Sequence, residues 1–166
     1  YLGGASIHSN KSGVAHFRCE SEPDCYDKVR RLVDYIPHYY GDELVQAAKY
    51  HFDAHKKTKH IEKILPENTR QGYNIREVIN DVTDDDSFFE VSQEFAINCV
   101  IGFAKIEGRS VGIVANNPAG MGGVLDCDAS DKIARHVRYC DAYNIPLLTF
   151  VDVPGFIPGP QEEQKG

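Results

Sequence analysis

The chain predicts an α/β protein with parallel strands, and three observations carry that expectation. Residues 147–153 form an almost unbroken apolar and β-branched run that enters a turn holding Pro154, Gly155, Phe156, Pro158 and Gly159. Such a run is the pattern of a strand covered on both faces in a parallel sheet. Two strand-like segments, 100–105 and 110–116, are joined by Glu107, Gly108 and Arg109, a hairpin signal. Between the hairpin and the final run lies a stretch with helical spacing. Hairpin, helix and returning strand in that order imply a right-handed crossover that lays the final strand parallel to the second hairpin strand.

Taken from the amino end, residues 1–39 open with LGGASIHSNKSGVAHF and then carry an amphipathic helix over 22–35, with Val29, Leu32, Val33 and Ile36 at helical spacing. Ser21 or Asp24 caps it, and Pro37 ends it. Residues 40–72 are rich in charge and His, with little apolar periodicity, and read as a linker or a peripheral helix. From residue 73 a compact unit begins. Asn74 caps a short helix through Ile75, Val78, Ile79 and Val82, which Asp84, Asp85 and Asp86 break before the apolar Phe88, Phe89 and Val91. After the hairpin, Asp128 is the expected cap of a helix reaching about residue 143. It buries Ile133, Val137 and Cys140, pairs Asp131 with Arg135 outside, and cannot continue past Pro146.

Composition excludes several functions. At 166 residues with 42% hydrophobic side chains, the chain buries a core, while a net charge of -7 lacks the basic face of a nucleic-acid binder. No apolar run approaches the ~18 residues of a membrane span. The chain starts at Tyr1 with no signal-peptide pattern, and the expectation is that it begins inside a longer protein. Five cysteines without CxxC spacing point to a reducing compartment, cytoplasmic or, in a eukaryote, the mitochondrial matrix; Cys99 and Cys140 read as core thiols. His51 and His55 share a helical spacing but lack HExxH and a third ligand, so a solvated face is expected there. Helix capping and the first-turn dipole account for Asp128 and Asp131, and no metal is predicted. Gly120 and Gly122 give G-x-G, yet Leu125 stands where a dinucleotide fingerprint needs its third glycine. With no Walker loop, G-x-S-x-G elbow or Ser-His-Asp triad, the economical reading is a chemistry without side-chain nucleophile or metal.

Four segments, LGGASIHSNKSGVAH, YNIREVINDVTDDDSFFEV, VIGFAKIEGRSVGIVANNP and GVLDCDASDKIARHVRYCDAYNIPLLTFVDVPGFIPG, follow one another in the chain. Together they resemble the carboxyltransferase (beta) subunit of biotin-dependent acyl-CoA carboxylases, most like propionyl-CoA carboxylase beta chains. The likeness covers residues 2–37 and 71–159; residues 38–70 depart from the family's linker rich in Pro and Asp. The resemblance implies a crotonase-like fold of repeated ββα units in a longer subunit. The chain would then hold the end of an amino-terminal half (1–39), a linker (40–72) and the start of a carboxyl-terminal half (73–166).

The resemblance also implies a reaction. CO2 moves from carboxybiotin, carried on a partner protein, to the α carbon of a short acyl-CoA such as propionyl-CoA. Biotin releases CO2, its ureido group takes the α proton, and the thioester enolate attacks CO2. Main-chain N–H groups stabilise the oxyanions. Both glycine-rich oxyanion holes of the family fall outside the matching segments, so no catalytic residue is expected within the chain. Gly155 and Phe156 match the biotin-side loop, with Gly159 permitting its shape; Gly3, Gly4, His8, Asn116 and Asn117 are candidates for the wall of the site, although turn formation accounts for them as well. Implied partners are the acyl-CoA substrate, a biotin carrier with its biotin carboxylase subunit or domain, and further copies of the same subunit. A decarboxylase of the methylmalonyl-CoA or glutaconyl-CoA type would share every one of these motifs, and a non-catalytic assembly module is the reading from another class.

Overall fold

A computed structural model describes residues 3–39, 41–42, 60–68 and 71–165; His51 and His55 lie outside them. Four strands, β1 (Phe89–Val91), β2 (Cys99–Ile106), β3 (Arg109–Asn116) and β4 (Leu147–Phe150), form one sheet in chain order. β1, β2 and β3 are antiparallel, whereas β4 joins β3 in parallel with Gly112 opposite Leu147 and Ala115 opposite Phe150. The hairpin turn places Glu107 and Gly108 at positive φ. Its two N–H groups donate to the carboxylate of Asp84 at 3.1 and 2.8 Å. Asp84 therefore does more than break a helix: it fastens the turn of the central hairpin.

Alternation along β2 and β3 makes two cores, one on each face. On one face, Val100, Ala104, Val111, Ile113 and Ala115 meet Ile75, Val78 and Ile79 of α4 (Ile75–Val82). Asn74 caps α4 as expected, its side-chain oxygen accepting the N–H of Arg76 at 3.2 Å. A single helical turn, α3 (Ile61–Ile64), packs beside α4, so part of the expected linker contributes Ile61 and Ile64 to this core. On the other face, Ile101 and Phe103 meet Phe89, Tyr35, Cys140 and Ile145. Tyr35 also donates its hydroxyl to the carbonyl of Ser87.

Short α1 (Ala5–Asn10) is followed by α2 (Glu22–Val33). The Ser21 hydroxyl caps α2 by accepting from the Asp24 N–H at 3.3 Å, which decides between the two candidate caps. Leu32 and Ile36 turn inward, but Val29 and Val33 face outward, contrary to the apolar face read from spacing.

Three further expectations are corrected around α5 (Cys127–Ala142). Its cap is Asp126, in extended conformation and accepting the Ala129 N–H at 2.9 Å; Asp128 lies in the first turn. Its buried face is Ala129, Lys132, His136 and Cys140, with Ile133 and Val137 only partly covered. Asp131 and Arg135 form no ion pair. The helix nonetheless crosses between β3 and β4 as a crossover must. Finally, β4 stops at Phe150 as an edge strand among the described residues, and Val151 is 74% exposed, so cover on both faces is not met there.

Candidate functional site

At the carboxyl end of β3 the chain turns through Pro118 to the 3₁₀ turn Met121–Gly123, and at the end of β4 it leaves through Asp152 into Pro154–Gly159. Asn116, the last residue of β3, ties these exits together. Its amide N–H donates to the Gly123 carbonyl at 3.3 Å, and its oxygen accepts the Asp152 N–H at 3.4 Å. Next to it, buried Asn117 donates from its side chain to the Ile97 carbonyl at 2.8 Å and from its backbone to Asn98 at 2.9 Å. Asn98 in turn holds the Val124 carbonyl at 2.8 Å and the Asp126 carboxylate at 3.2 Å. Gly123, at φ +77°, lets the turn approach the exit: a Cβ there would stand 2.9 Å from the Asp152 carbonyl oxygen.

The glycine-proline turn then makes a parallel bridge. Leu125 N–H donates to the Gly155 carbonyl at 3.1 Å, and Ile157 N–H donates to the Leu125 carbonyl at 2.9 Å. In such a bridge the N–H and C=O of the middle residue, Phe156, face away from the partner strand. Phe156 is 71% exposed. Gly155 holds φ +156° with nothing within 4 Å of a Cβ position, and Gly159, at φ +147°, starts the short helix α6 (Pro160–Glu163). Beside Phe156 lies a cavity of about 370 Å³ lined by Leu125, Asp126, Cys127, Ser130 and Glu162. A larger one, about 530 Å³, lies between the amino-terminal segment and α5, lined in part by Phe17, Leu32 and Tyr139, and shares no residue with the first.

Tyr73 and Asp152 complete the cluster without having been singled out by sequence. The Tyr73 hydroxyl donates to the Asp152 carboxylate at 2.8 Å, and burial together with this carboxylate pushes the phenol up to about 12. An acidic residue inside the apolar run 147–153 is the signal that could have drawn notice to Asp152. The structure thus links Asn116 through Asp152 to the approach of the turn that holds Gly155 and Phe156, and Asn117 only indirectly, through Asn98 and Val124, to the segment that Phe156 bridges. It does not join Gly3, Gly4 and His8 to them: Gly4 caps α1, and exposed His8 meets Ser12 at 3.2 Å. Among the described residues, no group of three or more His, Cys, Asp or Glu is placed to hold a metal, and no helix is long and apolar enough to cross a membrane.

The whole chain, residues 1–166, matches the family model described as carboxyl transferase domain. This chain belongs to the carboxyl transferase family. It is 44% identical over 165 residues to the carboxyltransferase subunit of propionyl-CoA carboxylase from Haloferax mediterranei, covering 99% of this chain and 32% of that protein. It is 41% identical to the methylmalonyl-CoA decarboxylase alpha subunit of Veillonella parvula, again over 99% of this chain and 32% of the relative. Its structure superposes on the transcarboxylase 12S crystal structure, a hexamer with methylmalonyl-coenzyme A and methylmalonic acid bound, with a TM-score of 0.93 at 41% identity, covering 99% of this chain and 31% of that one. The crotonase-like expectation is met. The chain spans about a third of the length of the relatives it matches.

Proposed function

We propose that this chain is part of an acyl-CoA carboxyltransferase that moves CO2 from carboxybiotin to the α carbon of a short acyl-CoA such as propionyl-CoA. The observation that carries the reading is the outward-facing main chain at Phe156, at the carboxyl end of a parallel strand, where α/β sheets place ligands. A cyclic ureido group offers a carbonyl acceptor and an N–H donor side by side, and the N–H and C=O of Phe156 are the matching pair. Gly155 leaves open space beside them. The residues present therefore fit the group, which when bound supplies the activated carboxyl.

In this reading Phe156 orients the ring through its main chain and shields it from water with its side chain. Asn116 holds the two exits in register, Asn117 fastens the exit of β3 to the loop before β2, and Gly159 turns the chain into α6. The donors that stabilise the oxyanions come from sequence outside this segment, so the division into residues 1–39, 40–72 and 73–166 marks the boundary of two halves. A biotin carrier with its biotin carboxylase, and further copies of the subunit, are the partners. The compartment is the cytoplasm, or the mitochondrial matrix in a eukaryote.

The test is transfer from carboxybiotin to propionyl-CoA by the complete subunit containing this segment, read as methylmalonyl-CoA formed. Turnover is expected, with none from the 166 residues alone. No transfer by the complete subunit would overturn the function, and turnover by the segment would overturn the placement of the oxyanion donors. The likeness to the Veillonella decarboxylase subunit favours a second reading, the reverse transfer from a dicarboxylic acyl-CoA to biotin. Coupling to ATP-dependent biotin carboxylation separates the two.

A further inference from the structure

The Phe156 turn is bridged to Leu125, and beyond it Glu162 of α6 accepts the Cys127 N–H at 3.0 Å. On the near side Pro154 and Phe156 are exposed, Gly155 has no side chain, and β4 has already ended at Phe150. What precedes the turn is anchored better. Asp152 is fixed by its backbone N–H on Asn116 and by its carboxylate on the Tyr73 hydroxyl. Tyr73 is itself fixed at a second point, because its carbonyl accepts the Ala119 N–H at 3.0 Å. Gly72 lies so close to this turn that a Cβ would stand 2.5 Å from the Pro118 oxygen. One residue ahead of α4 therefore grips the turn after β3 with its main chain and the exit of β4 with its side chain.

We infer that Tyr73 is a positioning residue for the Phe156 turn, acting through Asp152 as a latch that sets where the outward N–H and C=O of Phe156 stand. The inference rests on the reading of that turn as biotin-facing. Its physical basis is leverage: Asp152 lies four residues before Phe156, and the intervening segment has no other side-chain hydrogen bond that the structure shows among the described residues. A phenol hydrogen-bonded to a carboxylate is a charge-assisted bond, stronger than a neutral one. Since the phenol is pushed up to about 12, it stays protonated and donating throughout the physiological range.

The test has two arms. In this chain, amide hydrogen exchange at Leu125 and Ile157 reads the bridge directly. Tyr73→Phe keeps the ring and the main-chain grip on Ala119 and removes the hydroxyl alone; protection at both amides should fall about tenfold or more. Asp152→Ala should do the same, and Asp152→Asn, which keeps an acceptor oxygen, should restore it. In the complete subunit, Tyr73→Phe should raise the KM for carboxybiotin several-fold and leave the KM for acyl-CoA unchanged. Unaltered exchange in Tyr73→Phe overturns the latch. Faster exchange with unaltered transfer, while Gly155→Val cripples transfer, overturns the positioning role and leaves the biotin-facing reading standing. If neither variant disturbs transfer, the reading of the turn fails and takes this inference with it.

Discussion

The ammonium of Lys132 sits against the main-chain carbonyl of Cys99 at 3.0 Å. It also donates to the carbonyls of Phe95 and Ala96 at 2.6 and 3.2 Å, and Lys132 is 4% exposed. Burial lowers its pKa, yet three acceptors remain for its three protons. They join the loop before β2 to α5 across the second core. Lys132→Met keeps the stem and leaves three carbonyls without their donor. Loss of about 3 kcal/mol in denaturant unfolding is expected. A loss within a few tenths of that of a surface lysine variant would show that solvent replaces the ammonium.

Two glycines in the sheet face different neighbours. A Cβ at Gly102 would collide with the Phe89 carbonyl oxygen, which is backbone and cannot give without parting β1 from β2. At Gly112 it would meet Cys140 Sγ at 2.5 Å and Leu147 Cδ2 at 2.9 Å, both side chains. Overpacking of this kind costs roughly 1 to 3 kcal/mol. Gly112→Ala should therefore be rescued in part by Cys140→Ala, and Gly102→Ala should not. Strict additivity of Gly112→Ala and Cys140→Ala in a double-mutant cycle would refute the contact.

His136 gives the fold an acid sensitivity. Buried against Phe103 and 3.7 Å from Cys140 Sγ, its imidazole is lowered from 6.5 to about 4, chiefly by burial. The native state thus prefers the neutral ring, and the unfolded chain binds the extra proton first. Stability from this group is fully present above about 6.5 and is lost as the pH falls towards 4. The shift corresponds to roughly 3 kcal/mol. Unfolding midpoints measured between pH 7 and pH 4 should fall, and His136→Leu should flatten part of that slope. An equal slope in both proteins would place the sensitivity elsewhere.

How far such features were legible depends on the distance over which they act. α4 was readable because Asn74 and the spacing of Ile75, Val78 and Ile79 are local, and the hairpin because alternation and Glu107–Gly108 are local too. The parallel pairing of β3 with β4 followed from the handedness of one crossover. The buried face of α5 was not readable: Lys132 and His136 occupy it, and polar residues there are tolerated only because Phe95, Ala96 and Cys99 turn carbonyls towards the lysine. Asp126 and Asp128 both suit the start of that helix, and only the extended backbone at Asp126 decides. In the candidate site, glycines and prolines marked the Phe156 turn, whereas Tyr73 and Asp152 are 79 residues apart and meet only through the fold.

Gly155 offers the most direct probe of the proposed function. Its φ of +156° is one that side chains rarely adopt, yet nothing lies within 4 Å of a Cβ there. Any effect of substitution must then come from the path of the main chain rather than from a clash. Gly155→Val and Gly155→Ala should consequently behave alike, both shifting the carbonyl that accepts from Leu125 and the N–H that follows it at Phe156. In the complete subunit, transfer from carboxybiotin should fall by an order of magnitude or more, since small misplacements at a positioned site cost up to ~100-fold. Acyl-CoA affinity, measured by equilibrium binding, should survive. A defect in Gly155→Val absent from Gly155→Ala would point to bulk instead of backbone, parallel loss of acyl-CoA affinity would mean collapse of the loop, and unchanged transfer would return Pro154 to Gly159 to an ordinary turn.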